Sequence, residues 1–382
     1  MAQENQKCLK ELESIHEELN RDGYVKMAEV LLRNGADPII ADADGCTPLH
    51  NLSKRFYYND EDYGQLTEIL LKVSREKGYQ VDIQDKLGQT PLHLAVRNHM
   101  VDETEVLLRC GADPNLADKE GLTPLHIISK NFDMRFLPDN HFLLKKFFKI
   151  NDEMQQTIQI DAQDNEGRTP LQWAVGDLNP DVVDVLLDRG ANLSNFVFPH
   201  GKDFCKEYNI INHAHWNKLK PASGALTVVE RLEKRGYDLV RSDVMTVIEF
   251  FAKYELFEQS SDLEKWLHDD EEFTFEAKKV MINLSLSLHD LIQLPPEKAS
   301  KQLTYTDYLK FARSYDLWKL SKSYQEACSM NLCEKMSRGF FRRWALDSIL
   351  ELTRYQLPIL CCEIVIQKLK NDDLCNLRDE GE

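Results

Sequence analysis

The chain has 382 residues, with 47 Lys plus Arg against 64 Asp plus Glu, a formal net charge of −17. That acidic excess gives no electrostatic pull toward nucleic acid or anionic lipid, so neither is expected as a partner. With 42% hydrophobic and 29% charged residues, 16 Gly and 13 Pro, the composition excludes a disordered or collagenous chain.

The segment from Met1 to Leu19 has no apolar run, which predicts no secretory leader. The most apolar stretch, Ile359 to Ile366, is too short to span a bilayer and carries Glu363, so no membrane helix is expected. Nine scattered cysteines then read as reduced and mostly buried, and the cytoplasm is the expected location, with the nucleus also open.

Four segments share one pattern: Gly45-Cys-Thr-Pro-Leu-His50, Gly88-Gln-Thr-Pro-Leu-His93, Gly121-Leu-Thr-Pro-Leu-His126 and Gly167-Arg-Thr-Pro-Leu-Gln172. A second pattern alternates with them: Leu31-Leu-Arg-Asn-Gly-Ala-Asp37, Leu107-Leu-Arg-Cys-Gly-Ala-Asp113 and Leu186-Leu-Asp-Arg-Gly-Ala-Asn192. Thr47, Thr90, Thr123 and Thr169 stand where helix N-caps are needed, and the Pro after each sits at the first helical position, where its missing N–H costs nothing. Gly35, Gly111 and Gly190 are expected to close second helices as left-handed C-caps. The step from Gly88 to Gly121 is 33 residues, with steps of 43 and 46 on either side. The longer steps place insertions at 55–64 and 131–141, which project as loops.

These residues resemble the ankyrin repeat family, whose period is about 33. The resemblance implies an all-α solenoid of helix pairs with short hairpin loops that binds proteins. It also implies that His50, His93 and His126 tie neighbouring turns by hydrogen bonds, rather than serving a metal or acid–base chemistry. About five repeats are expected over residues 1–192, the first a degenerate pair from Cys8 to Leu32.

Residues 193–290 are expected to be a degenerate ankyrin-like helical segment. Ala225 to Leu239 reads as the second helix of a sixth repeat, and Val244–Phe257 and Phe275–Leu291 as amphipathic helices. The acidic stretch Asp269 to Glu272 reads as a solvated loop. The run Asn212-His-Ala-His-Trp216 lacks Cys or carboxylate partners at ligand spacing, so no metal is expected. Over residues 291–382, helices are predicted at Tyr305–Trp318, Ser323–Met336 and Phe340–Tyr355.

The chain closes with Leu357-Pro358, an apolar helix and Asp373-Leu374-Cys-Asn-Leu377. This resembles the core of an F-box, and its place after ankyrin repeats is similar to the PRANC family of poxviruses, parasitoid wasps and some of their bacterial symbionts. An F-box ordinarily has a third helix, and only a few polar residues follow Leu377 here. The resemblance implies a C-terminal surface for the adaptor protein that bridges to a cullin ligase, with Leu357, Pro358, Ile366, Leu369 and Leu374 as its contacts and Asp373 as N-cap of the second helix. A helix apolar on nearly every side is normally buried all round. Either a partner covers its outer side, or the helix folds entirely into its own domain.

Target binding is expected on the concave face and hairpin tips of the repeats, at Lys54, Lys86, Leu87, Arg97, Lys119 and Lys130. Lys54, Arg97 and Lys130 each stand seven residues after a capping Thr. They read either as a basic stripe suited to an acidic target or as three unrelated surface cations. No Gly-rich phosphate loop, His-Glu-x-x-His or Cys–His motif occurs, so no enzyme and no cofactor is expected. The functional expectation is an adaptor that binds a target and recruits a ligase. Its rival is an ankyrin scaffold or inhibitor that masks a partner such as a Rel-type transcription factor.

Overall fold

The computed structural model describes residues 30–54, 61–130, 140–205, 217–256, 270–314 and 316–376. These are helices, turns and loops without a strand. The chain divides into two compact units: Met1–Trp173 with Val185–Asn192, and Ala174–Asp184 with Leu193–Glu382.

The first unit holds helix pairs α1 (Pro48–Ser53) and α2 (Glu61–Glu76), α3 (Pro91–Arg97) and α4 (Val101–Arg109), and α5 (Pro124–Ser129) and α6 (Asn140–Glu153). First helices stack on first helices and second on second: α1 on α3 on α5, α2 on α4 on α6. A fourth pair, α7 (Pro170–Gly176) and α8 (Pro180–Asp188), is divided between the units.

Each first helix starts as the capping pattern requires. Thr47, Thr90 and Thr123 are extended N-caps with Pro at the first turn, and their backbone N–H groups donate to Nδ1 of His50, His93 and His126 at 3.1–3.2 Å. In the fourth pair Gln172 replaces the histidine, its Oε1 accepting the Thr169 N–H at 2.8 Å. Because Nδ1 is an acceptor, Nε2 carries the proton and donates across the repeat boundary: to the carbonyls of Gln89 (3.0 Å), Leu122 (3.1 Å) and Arg168 (3.1 Å). All three rings are buried, and burial holds their pKa values below the ordinary imidazole range.

The second unit is built on one long helix, α15 (Lys322–Leu352). It also holds α9 (Leu219–Lys234), α10 (Arg241–Lys253), α11 (Glu271–Lys279), α12 (Leu288–Gln293), α13 (Pro296–Gln302), α14 (Tyr305–Arg313), α16 (Ile359–Lys368) and α17 (Asn371–Asn376). Five of these, α9, α12, α13, α16 and α17, pack on α15.

Three expectations are corrected here. The separate helices Ser323–Met336 and Phe340–Tyr355 are one. Gly339 costs about 1 kcal/mol in a helix interior, and the burial of Cys333, Met336, Phe340 and Phe341 around it outweighs that. The single helix Phe275–Leu291 is instead α11 and α12, parted by a turn that an antiparallel bridge between Met281 and Ser287 closes. The acidic stretch is no free loop where described: Asp270 caps α11 by accepting the Phe273 N–H (2.9 Å), and Glu271 and Glu272 fill its first turn, where the helix dipole favours anions. Helix α9 ends at Gly236 with the same left-handed cap as Gly190, and it packs on α14 and α15.

Candidate protein-interaction site

The hairpin tips of the first unit are made by one Asp per repeat. Asp42, Asp85, Asp118 and Asp164 each accept two backbone N–H groups, from the residues two and four further on, at 2.8–2.9 Å. These turns stack by backbone bonds: Lys86 N–H to Asp44, Lys119 N–H to Leu87, Asn165 N–H to Glu120, each 3.0 Å. Gly88 and Gly121 lie at φ +77° and +80°, and a Cβ there would stand 2.8 and 2.6 Å from the backbone nitrogens of Lys119 and Asn165. Only glycine permits both that φ and that approach. The side chains of Lys86, Leu87 and Lys119 are left exposed on a rigid rail, Leu87 at 62%.

The cations on the first helices are placed less uniformly than their spacing suggests. Lys54 is exposed, but its Nζ contacts the buried sulfur of Cys46 at 2.8 Å. Arg97 is half-buried at the end of α3. Lys130 lies over the Trp173 indole, 5.1 Å from the ring centre, and the Arg168 guanidinium lies over the same ring at 4.3 Å. Asp164 receives both the indole N–H (3.0 Å) and Arg168 Nε (2.9 Å). Burial opposes the Asp164 charge, but the Arg168 N–H and guanidinium and the indole N–H outweigh it and hold the carboxyl below its ordinary range. Trp173 and Arg168 were not among the expected contacts. The signal available is a Trp four residues after the capping Thr169, where the other repeats carry Asn51, Leu94 and Ile127.

Three overlapping stretches, residues 16–118, 59–154 and 100–196, match the family model of ankyrin repeats. The first unit is an ankyrin-repeat solenoid. A putative ankyrin repeat protein of Rickettsia bellii is 26% identical over 245 residues, 64% of this chain and 64% of that protein. The ankyrin repeat protein nuc-2 of Neurospora crassa is 39% identical over 95 residues, 25% of this chain and 8% of its own. The human B-cell lymphoma 3 protein is 31% identical over 158 residues, 40% of this chain and 30% of its own. The chain thus spans less than two thirds of the length of these relatives. Ankyrin repeats are protein-interaction modules, and the tips leave exposed side chains, whereas the first helices α3 and α5 are buried from Pro91 to Val96 and from Pro124 to Ser129.

The second unit offers a different surface. Helix α15 ends in two successive left-handed residues, Arg354 (φ +51°) and Tyr355 (φ +58°), which turn the chain through Leu357-Pro358 into α16. Of the five expected ligase-adaptor contacts, Leu357 and Pro358 are exposed, Leu369 is half-buried, and Ile366 and Leu374 are buried within their own unit. The outward apolar residues of α16 are instead Ile359, Leu360, Ile364 and Val365, 43–72% exposed. Asp373 is not the N-cap of α17. That helix begins at Asn371, and Asp373 sits in its first turn, reaching back to accept the Lys370 N–H at 2.8 Å. Leu374 lines a cavity of about 210 Å³ together with Val244, Ile248, Phe341 and Ala345.

Among the described residues no group of His, Cys, Asp and Glu gathers as a metal site, and no helix is long and apolar enough to cross a membrane. The run Asn212–Trp216 and the insertions at 55–60 and 131–139 lie outside the described residues, as do the first helix pair through residue 29 and Leu377.

Proposed function

We propose that the protein is an adaptor without chemistry of its own. The ankyrin repeats hold a target protein, and α16 with α17 recruits a cullin-type ubiquitin ligase through its bridging adaptor. The observation that carries the reading is the outward face of α16. Leu357, Ile359, Leu360, Ile364 and Val365 form a run of exposed apolar side chains, of the kind that marks a protein-binding surface. Pro358 lies among them and Leu369 beyond them, while Ile366 and Leu374 anchor the element inward. An adaptor of this kind works in the cytoplasm or nucleus.

A second reading is a scaffold or inhibitor that masks a partner such as a Rel-type transcription factor. It needs only the repeats, and the repeats are what the family model matches.

Affinity capture decides between them. The full chain brings down the bridging adaptor and cullin, and the double variant Leu360→Glu/Ile364→Glu brings down neither while keeping its target. A full chain that captures target but no ligase component ends the recruitment reading and leaves the scaffold.

A further inference from the structure

Helix α16 is held by its poorer face. Inward it turns Cys362 and Ile366, and outward Ile359, Leu360, Ile364 and Val365. Hydrophobic burial has no direction and grows with area, so by itself it favours a helix rolled to put Leu360 and Ile364 against α15. What opposes the roll is polar and directional. Arg338 on α15, only 9% exposed, donates from Nη2 to the carbonyls of Ile366 (3.0 Å) and Gln367 (3.4 Å), and from Nη1 to Asn371 Oδ1 (3.2 Å). Those carbonyls belong to the last turn of α16, where no i+4 intrahelical donor remains, although the C-cap Leu369 N–H also reaches the Ile366 carbonyl at 3.3 Å. Asn371 is fully buried and closes the network: Nδ2 donates to the Glu334 carbonyl (3.0 Å) and to Ser337 Oγ (2.9 Å), and its backbone N–H to Glu334 Oε1 (3.2 Å). The two Arg338–carbonyl bonds are met together at one rotation of α16 about its axis, and Asn371, the first residue of α17, holds the Arg338 guanidinium in place to make them. A buried guanidinium and amide carry a desolvation cost that apolar side chains of the same volume avoid, and a well-attested use of such groups is to fix a register.

We propose that the Arg338–Asn371 network is an orientation lock. It holds α16 with its smaller apolar face inward and so keeps the larger one presented. Arg338 and Asn371 are then positioning residues for a surface that neither touches. That this surface serves recruitment rests on the function proposed above; the lock does not.

The adjacent cysteines of α16 report its rotation, since Cys361 is exposed and Cys362 buried, while buried Cys328 and Cys333 on α15 report unfolding. The experiment is alkylation of the full chain by iodoacetamide, read by peptide mass spectrometry. In the wild type Cys361 is modified and Cys362 protected. In Arg338→Met and in Asn371→Leu the ratio of Cys361 to Cys362 modification falls by at least about tenfold, as the helix samples other rotations, while Cys328 and Cys333 stay protected. Ile366→Ala, which removes apolar contact and spares the network, keeps the wild-type ratio.

The opposite pattern, with Ile366→Ala losing the ratio and both network variants keeping it, overturns the proposal. So does modification of Cys328 and Cys333 in both network variants, which makes the network a support of the whole unit. A wild-type chain that captures no ligase adaptor, yet whose variants lose the ratio, ends the recruitment reading and leaves the lock standing. Capture by a chain whose variants keep the ratio does the reverse.

Discussion

The two units are both helical and are held together in different ways. In the ankyrin unit each of the three boundaries between the four described helix pairs carries the same ties: a histidine donating to the next repeat's backbone and a tip whose N–H reaches the tip before it. Those ties are local and repeated, so each repeat depends on its neighbours alone. In the second unit α15 is shared by five other helices, and its buried Leu332, Cys333, Phe340, Phe341 and Ala345 serve a common core. Damage to one repeat should therefore travel stepwise, and damage to α15 should be felt throughout its unit.

The sharpest way to break that contrast is Phe341→Ala. The ring is 1% exposed and meets Phe251 edge-on at 5.4 Å, so its loss should cost about 3–5 kcal/mol. Hydrogen exchange should show protection lost across α9, α12, α13 and α15 together, with the repeats unaffected. Loss confined to the turns of α15 around residue 341 would refute the shared-core view. Leu92→Ala removes a side chain equally buried in the repeats and should cost about 2–5 kcal/mol. Here protection should fall first in the repeats on either side. Unchanged thermal stability in this variant would mean that the repeat register is wrong.

A smaller effect separates the titrating groups of the ankyrin unit. The three buried histidines have lowered pKa values, so their contribution is full above about 6.5 and is lost as pH falls. Glu103 runs the other way. Burial between α2 and α4 pushes its carboxyl up to about 7, against an ordinary 4.5, although the Thr67 hydroxyl donates to it at 2.6 Å. The unfolded chain releases this proton near pH 4.5 and the folded chain near 7, so stability falls as pH rises through that window. In Glu103→Gln the fall is absent. Relative to wild type, the variant should gain on the order of 1–3 kcal/mol between pH 4.5 and 8, measured by urea unfolding at each pH. A difference independent of pH would show that Glu103 is already ionised in the fold.

The same contrast explains what was legible in the sequence. Thr-Pro-Leu-His encodes a cap and a first turn within four residues, so helix starts could be read off directly, and the histidine bonds followed from the resemblance to ankyrin repeats. That α16 is apolar was legible for the same reason, as a run of side chains in one short helix, but not which side faces outward: Ile366 and Leu374 are buried, and Ile359, Leu360, Ile364 and Val365 are exposed. What escaped depends on residues far apart in the chain. Nothing local to Gly339 says that α15 continues through it; the burial around it does. Arg338 and Asn371 are 33 positions apart, and neither stands in a motif. Trp173 takes its meaning from Lys130, one repeat earlier.

The smallest expected change in stability tests the concave face. For Lys54, Arg97 and Lys130 reversed together to Glu, the reference is the usual range for surface positions, within about 0.5 kcal/mol each. Two of them should approach or exceed it. Lys130 loses a cation–π contact with Trp173, a contact worth about 0.5–1 kcal/mol at such a site. Lys54 is the cation that Asp42 and Asp85 surround, and a Glu there adds a third negative charge around the buried Cys46. Arg97 has no comparable tie and should be the most neutral of the three. If the positions act as a basic stripe, the triple variant should lose an acidic target that the wild type captures, and the Arg97→Glu single variant should account for most of that loss, because its guanidinium is not committed to Cys46 or Trp173. Proximity labelling compares the partner sets directly. The same set from the triple variant would make the three cations independent surface charges and leave recognition to the exposed tips, where Lys86, Leu87 and Lys119 project from the stacked turns.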